Sequence, residues 1–336
     1  MKRAKAIGVA SSYSDGPIVP ARLVETDLAT ANARLSRLLD SNESIIREIC
    51  HYLVDAGGKR LRPMFVLLVY RACGGTDDGV DFAIDAGIAL ELIHSATLLH
   101  DDIVDGGMLR RGKPSAFARY GFGPSLIAGD YLFCRAFELC SRFKEHMIRT
   151  AAAACIHLTE GEVMEGRLRH NAAACYDDYI KVITRKTASL FQAGGKVAAD
   201  LAGGPEKTID AMARLGTSIG LAFQMVDDLL DILGPEEKIG KPVGSDLREG
   251  IPSLPIVLGA ARIPELAGML RSATPTEGAA FDRALALLRD PGIVTEARRL
   301  AAEQIAIARA LVGGLAPSIY RDGLAALIAD QIDREV

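Results

Sequence analysis

The residues of this chain best placed to do chemistry are three aspartates followed closely by two arginines, in the stretch His94-Ser95-Ala96-Thr97-Leu98-Leu99-His100-Asp101-Asp102-Ile103-Val104-Asp105-Gly106-Gly107-Met108-Leu109-Arg110-Arg111. On a helix, residues four apart stack roughly 5–6 Å from one another, so Asp101 and Asp105 point together while Asp102 sits to the side. Carboxylates this close repel unless a cation lies between them. Hard oxygen donors suit Mg²⁺, which keeps several waters and leans on substrate phosphates. One such run alone is more often a solvated helix end than a metal site. A second run, Asp227-Asp228-Leu229-Leu230-Asp231, closes another apolar stretch, 219–226. Two acidic helix faces predict two walls of one cavity, bridged by metal and an anionic ligand.

The cations match that expectation. In Gly57-Gly58-Lys59-Arg60-Leu61-Arg62-Pro63 the glycines end a helix and let an anion approach the backbone, and Pro63 suits the first turn of the next helix. Such a helix start with Lys59 and Arg62 is either a solvated basic turn or a phosphate site. His94 lies two helical turns before Asp101, on about the same face, as an added donor. Arg185-Lys186-Thr187-Ala188-Ser189-Leu190-Phe191 predicts a further helix start that takes an anion, and Lys241 lies in a glycine-containing loop, 240–246. The small residues Ala151 to Cys155 predict either close helix packing or the lining of an apolar tunnel.

Long helices must position these groups. The 336 residues are 49% hydrophobic and 24% charged, and no sustained β alternation interrupts the Ala- and Leu-rich segments. Residues 1–20 read as a poorly ordered lead-in and 21–336 as a single all-α domain, without linker or tandem repeat. The spacing predicts helices over 23–39, over 45–54 after Ser41-Asn42-Glu43, and from Ala128-Gly129-Asp130 onward. The net charge of −4 and 5% aromatic content argue against nucleic acid. No stretch reads as an uncharged membrane span of about 20 residues. Six cysteines without a C-x-x-C pair read as reduced thiols of a cytoplasmic protein.

From residue 25 to 335 the chain resembles the trans-type isoprenyl diphosphate synthases (polyprenyl synthetases), especially long-chain bacterial members. The resemblance rests on GGKRLRP at 57–63, HSATLLHDDIVD at 94–105, RRGK at 110–113, KTASLF at 186–191, FQMVDDLLD at 223–231 and GKPVGSDLREG at 240–250, in family order. It implies the all-α isoprenoid synthase fold around a large central cavity, a homodimer, and two or three Mg²⁺ ions as cofactor. Asp101, Asp105 and Asp227 would bind the metal, with Asp102 supporting and Asp228 and Asp231 helping through water. Lys59, Arg62, His94 and Arg111 would hold isopentenyl diphosphate. Arg110, Lys186, Thr187, Gln224 and Lys241 would hold the allylic diphosphate, farnesyl or geranylgeranyl.

Short-chain relatives carry aromatic residues four or five positions before the first acidic motif, where this chain has Thr97 and Ala96. The resemblance therefore implies an open tunnel, each helical turn adding ~5.4 Å of depth, and a product of roughly C35 to C50 for quinone side chains. Leu92, Ile93, Ala89 and the wall from Ala152 to Cys155 are the expected lining. Many relatives carry Lys where this chain has Ile251, a loss that Arg248 is expected to offset. A shorter-chain synthase, the catalytic half of a heteromeric synthase and a terpene cyclase are the competing readings.

Overall fold

The computed structural model describes residues 18–55, 57–58, 60–234, 242–272 and 277–332. Helices form nearly all of it: α1 (Pro20–Leu23), α2 (Glu25–Leu38), α3 (Ser44–Val54), α4 (Leu61–Ala72), α5 (Val80–Val104), α6 (Ala116–Tyr120), α7 (Phe122–Cys140), α8 (Glu145–Leu168), α9 (Tyr176–Ile183), α10 (Ser189–Leu201) and α11 (Glu206–Leu233). Six more follow, Ser245–Glu249, Leu254–Arg262, Pro264–Ser272, Gly278–Leu288, Pro291–Gly313 and Ile319–Ile332. The chain is all-α, as its composition suggests, and the expected helices over 23–39 and 45–54 are present. Pro20, the last residue of the expected lead-in, already begins a helix; residues 1–17 lie outside the described residues.

The middle helix is α5. It is apolar nearly all round, so it is buried on every side, packing on α4, α7 and α10. The segment Asp77–Val104 is long and apolar enough to cross a membrane by length and composition alone, though it carries charged residues, and 78% of its most apolar window is buried inside the protein. Its hydrophobicity is thus spent on the core.

A second close-packed pair, α10 and α11, depends on glycine. A Cβ at Gly216 would lie 2.1 Å from the Phe191 carbonyl oxygen, and one at Gly195 would lie 2.1 Å from that of Met212. The two backbones touch because no side chain separates them. That contact fixes the register of Thr187 against Gln224.

Two sequence expectations change here. Ala128-Gly129-Asp130 is interior to α7, which starts at Phe122 behind Gly121. Arg185 to Ala188 is not a helix start: it lies in a π-helical turn, Thr184–Ala188, within an unbroken run from α9 to α10. Its backbone N–H groups are used within the run, so any anion there must be held by side chains. Single π turns inside α-helices recur at functional sites.

Candidate active site

The C-terminal end of α5 carries the first acidic motif. Asp101 and Asp102 are its last polar residues, and Asp105 caps it, the Asp105 N–H donating 2.8 Å to the Asp101 carbonyl. The three side chains meet different surroundings. Asp102 is buried and accepts a fork from Arg110, Nε at 2.9 Å and Nη2 at 2.8 Å. Asp105 is paired with Arg169 Nη2. Asp101 faces Lys186, Glu162 and Asp105, and burial foremost, with those two carboxylates, pushes its own carboxyl up to about 7 against the pull of Lys186 and Arg110.

Lys186 is the hub of this wall. Its ammonium lies 2.8 Å from Glu162 Oε2 and 2.6 Å from Glu165 Oε1. Burial opposes its charge, but Glu165, Asp101 and Glu162 together hold its pKa above the usual lysine value. The approach of α8 to the π turn requires glycine: a Cβ at Gly161 would lie 2.5 Å from the Lys186 nitrogen.

The second acidic motif is split by the fold. Asp228 is buried, with one oxygen accepting from Gln224 Nε2 at 2.9 Å and the other from the Leu254 N–H at 3.0 Å. Asp231 is buried too, accepting from Ser245 Oγ at 2.5 Å and the Asp246 N–H at 3.2 Å. Asp231 through both oxygens, and Asp228 through one, thus tie α11 to the segment that follows it, while the other Asp228 oxygen holds Gln224 of the same helix. Asp227, partly exposed, is left to face the site. Thr187 Oγ1 donates to Gln224 Oε1 at 2.8 Å and Gln224 donates to Asp228, so side-chain contacts join the residue next to Lys186 to the second acidic motif.

A cation cluster faces the carboxylates. Arg110 and Arg111 stand on a hairpin whose two-residue strands, Leu109–Arg110 and Lys113–Pro114, pair antiparallel. Arg111 and Gly112 form its turn, with φ of 53° and 73°, the pairing that a type I′ turn demands. Arg60 likewise has φ 47° at the start of α4. For a non-glycine residue this conformation costs of order 1–3 kcal/mol, and such strain collects at binding sites. The Arg111 guanidinium lies 3.5 Å from where a Gly58 Cβ would stand, which places the glycine turn beside it.

Arg62 completes the cluster. Its guanidinium is 5.0 Å from the Phe191 ring centroid, its Nε is buried without an acceptor, and it lies in the fields of Glu91 and Asp227. Burial first, then Arg62, Arg110 and Arg111, hold the His94 imidazole well below its ordinary value, so it is neutral here. Three guanidiniums around one imidazole, with a buried donor unmet, form a place made for a polyanion. Lys59 and Lys241 lie outside the described residues.

Below the carboxylates, α5 presents one stripe. At 100° per residue, Ala86, Leu90, Ile93, Thr97 and Asp101 follow one another down a single face, whereas Ala96 and Ala89 lie at its edge. A small apolar pocket continues the stripe, lined by Ala86, Ala89, Leu90 and Ile93 of α5 and by Phe143, Met147, Ala151 and Gly194. Leu92, expected in the lining, is wholly buried elsewhere in the core. Of the small-residue wall, Ala153 and Ala154 face an open recess of about 550 Å³ between α8, α10 and α11 instead. The one-residue turn of a helix, 100°, decides which alanines line which space.

Glu162, Glu165 and Arg169 escaped the sequence reading. The signal was present in Glu160-Gly161-Glu162, a glycine between acids that marks close helix approach. For Arg169 there was none, because only folding brings α8's end to Asp105. The Arg248 guanidinium stacks 3.9 Å from the Phe281 centroid and donates to the Val243 carbonyl.

The donor set fits a hard divalent cation. Among the described residues no three His, Cys, Asp or Glu side chains are gathered into a self-sufficient metal site, which suits an ion that takes few protein ligands and completes its shell with water and phosphate oxygens. Burial, with the neighbouring Glu162 and Asp105, raises the Asp101 carboxyl, and a cation beside it would offset both effects.

Comparison with known proteins agrees with this geometry. The family model described as polyprenyl synthetase matches residues 43–286. The chain is 34% identical to octaprenyl diphosphate synthase of Haemophilus influenzae over 93% of this chain and 95% of that protein. It is 33% identical to nonaprenyl diphosphate synthase of Mycobacterium tuberculosis, covering 90% and 92%. Among solved structures it superposes on a Caulobacter crescentus polyprenyl synthase complexed with calcium and isoprenyl diphosphate, at a TM-score of 0.89 and 35% identity, covering 94% of this chain and 97% of that one.

Proposed function

This chain belongs to the polyprenyl synthetase family, and we propose that it is a long-chain trans-polyprenyl diphosphate synthase, adding isopentenyl diphosphate units to an allylic diphosphate. One observation carries the reading: Arg62, Arg110 and Arg111 gather around His94, and the buried Asp101 stands above an apolar pocket on the same helix face. Such a cluster holds charged diphosphates, and such a pocket holds a hydrocarbon chain.

Arg62, His94 and Arg111 would hold the diphosphate of isopentenyl diphosphate, with Lys59 on the same turn. Lys186, Thr187 and Gln224 would orient that of the allylic substrate, with Arg110 held in place by Asp102. Asp101, Asp105 and Asp227 would hold Mg²⁺, which when bound neutralises the departing diphosphate. Charge-assisted donors aimed at the diphosphate favour its departure and so ionisation of the allylic C–O bond. The double bond of isopentenyl diphosphate, held beside it, attacks the resulting cation, and a proton leaves to the released diphosphate. Water is kept from the cation by the apolar walls below Asp101. No protein nucleophile takes part.

The stripe from Asp101 to Ala86 runs about 22 Å down the helix with no aromatic ring on it, and the reading of a C35 to C50 product is supported by the likeness to octaprenyl and nonaprenyl diphosphate synthases. Asp102, Asp228 and Asp231 position the walls. Exposed Phe122, Ile127 and Phe137 on α7 and Ile156 and Val163 on α8 form an apolar surface that a second copy would cover, giving a homodimer. The six free cysteines fit a reducing compartment, the cytoplasm.

The test is incubation of the purified protein with Mg²⁺, farnesyl diphosphate and labelled isopentenyl diphosphate. A long product is expected from this chain alone. A C15–C20 product would overturn the long-chain reading, and no product would point to a missing partner subunit.

A further inference from the structure

Glu91 lies on α5, three residues before His94, and is 7% exposed. No step of the condensation uses it. A buried carboxylate is costly unless it is paired, and Glu91 meets three arginines. Arg60 Nη1 donates to its Oε1 at 3.0 Å, and both Arg62 and Arg111 lie in its field. The helix that brings the imidazole to the cation cluster thus brings a fixed negative charge as well.

Arg60 is engaged by the protein at all three of its guanidinium nitrogens. Besides the bond to Glu91, Nη2 donates 3.1 Å to the Val54 carbonyl at the end of α3, and Nε donates 3.3 Å to Asn32 Oδ1 on α2. Its backbone is left-handed, with φ of 47°, a conformation that a non-glycine residue keeps where its surroundings over-determine it. Those three bonds do so here. The Arg60 carbonyl accepts from the Met64 N–H at 3.0 Å, opening α4. The direction in which α4 leaves the glycine turn, and with it the aim of Arg62 two residues on, therefore follows from how Arg60 is held.

We propose that Glu91 and Arg60 are positioning residues for isopentenyl diphosphate: their ion pair fixes the left-handed turn that aims Arg62, and Glu91 offsets the mutual repulsion of Arg60, Arg62 and Arg111 before the substrate arrives. The proposal rests on the assignment of Arg62, His94 and Arg111 to that diphosphate. Simple Coulomb attraction gives Glu91 the opposite sign. A negative charge beside the cluster weakens its pull on an anion, so its removal would tighten binding if charge were all that mattered. Positioning predicts weaker binding, which separates the two.

The test is the steady-state kinetics of Arg60→Lys and Glu91→Gln in the full chain, with Mg²⁺, farnesyl diphosphate and isopentenyl diphosphate. Arg60→Lys keeps the charge and loses the three-way fork, whereas Glu91→Gln keeps the shape and an acceptor and loses the charge. In both, the KM for isopentenyl diphosphate is expected to rise about tenfold. The kcat and the KM for farnesyl diphosphate should stay within about twofold, whereas a variant that merely folds less would lower kcat at an unchanged KM. A second measurement needs no turnover: isopentenyl diphosphate alone should raise the melting temperature of wild type more than that of either variant. An active wild type whose variants keep its KM overturns the positioning role alone, as does a Glu91→Gln protein that binds isopentenyl diphosphate more tightly. An equal rise in the KM for farnesyl diphosphate overturns it too, because the effect is then not confined to one diphosphate. A wild type that makes no product and whose melt isopentenyl diphosphate does not shift removes the functional reading, and this inference with it.

Discussion

Replacing Thr97 by Phe is the most direct probe of the cavity. Thr97 lies on the stripe between Asp101 and Ile93, 40° of helix rotation from each, and is 9% exposed. A ring there would stand about 6 Å below Asp101 and above every residue lining the cavity. The usable depth falls from about 22 Å to about 6 Å, roughly a quarter. The expected result is a product cut back to the first few additions, with the first condensation retained, because the diphosphate-holding side chains are untouched. Folding should suffer modestly: overpacking costs about 1–3 kcal/mol, and the Thr97 hydroxyl bond to the His94 carbonyl, about 0.5–1.5 kcal/mol, is lost. The assay is mass spectrometry of dephosphorylated products beside a thermal melt. A folded Thr97→Phe protein that still makes full-length product would refute the stripe as the path of the chain.

The neighbouring Ala96→Phe change should behave differently: Ala96 is wholly buried at the stripe's edge, so the melt should show a cost of about 1–3 kcal/mol, with less shortening than Thr97→Phe at matched folded fraction. Gly216→Ala should destabilise by about 3 kcal/mol or more in a denaturant titration, because its Cβ would meet the Phe191 carbonyl oxygen at 2.1 Å. His94 makes stability pH-dependent. With its folded pKa depressed, the unfolded chain binds the extra proton below about 6.5, so the stability it lends is present above that value and is lost as pH falls through it. His94→Gln should therefore melt higher than wild type near pH 5.5, relative to their difference at pH 7.5, in protein free of ligands. Pyrophosphate, measured by the same melts, should stabilise wild type more than Arg62→Met.

Much of this molecule was legible in its sequence because the informative patterns are local. Apolar spacing dictated the helices, and the runs at 101–105 and 227–231 were recognisable because carboxylates at helical spacing have few uses other than holding charge. The glycine turn at 57–58 and the paired arginines at 110–111 announced an anion site for the same reason. Residue type and spacing thus determined the class of chemistry.

Only the tertiary structure decided which of those groups remain available. Asp228 and Asp231 read like Asp101 and Asp105, yet folding buries both, Asp228 against Gln224 and the Leu254 N–H and Asp231 against Ser245 and the Asp246 N–H, because α11 buries the face they occupy. Arg169 meets Asp105, Lys186 meets Glu162 and Glu165, and Asp85 meets Arg34 and Arg142 across sequence separations that no periodicity encodes. Whether an alanine of α8 lines the cavity or the outer recess depends on a helix rotation set by its neighbours' packing. A charged side chain's role follows from its partner, and partners are chosen by the fold.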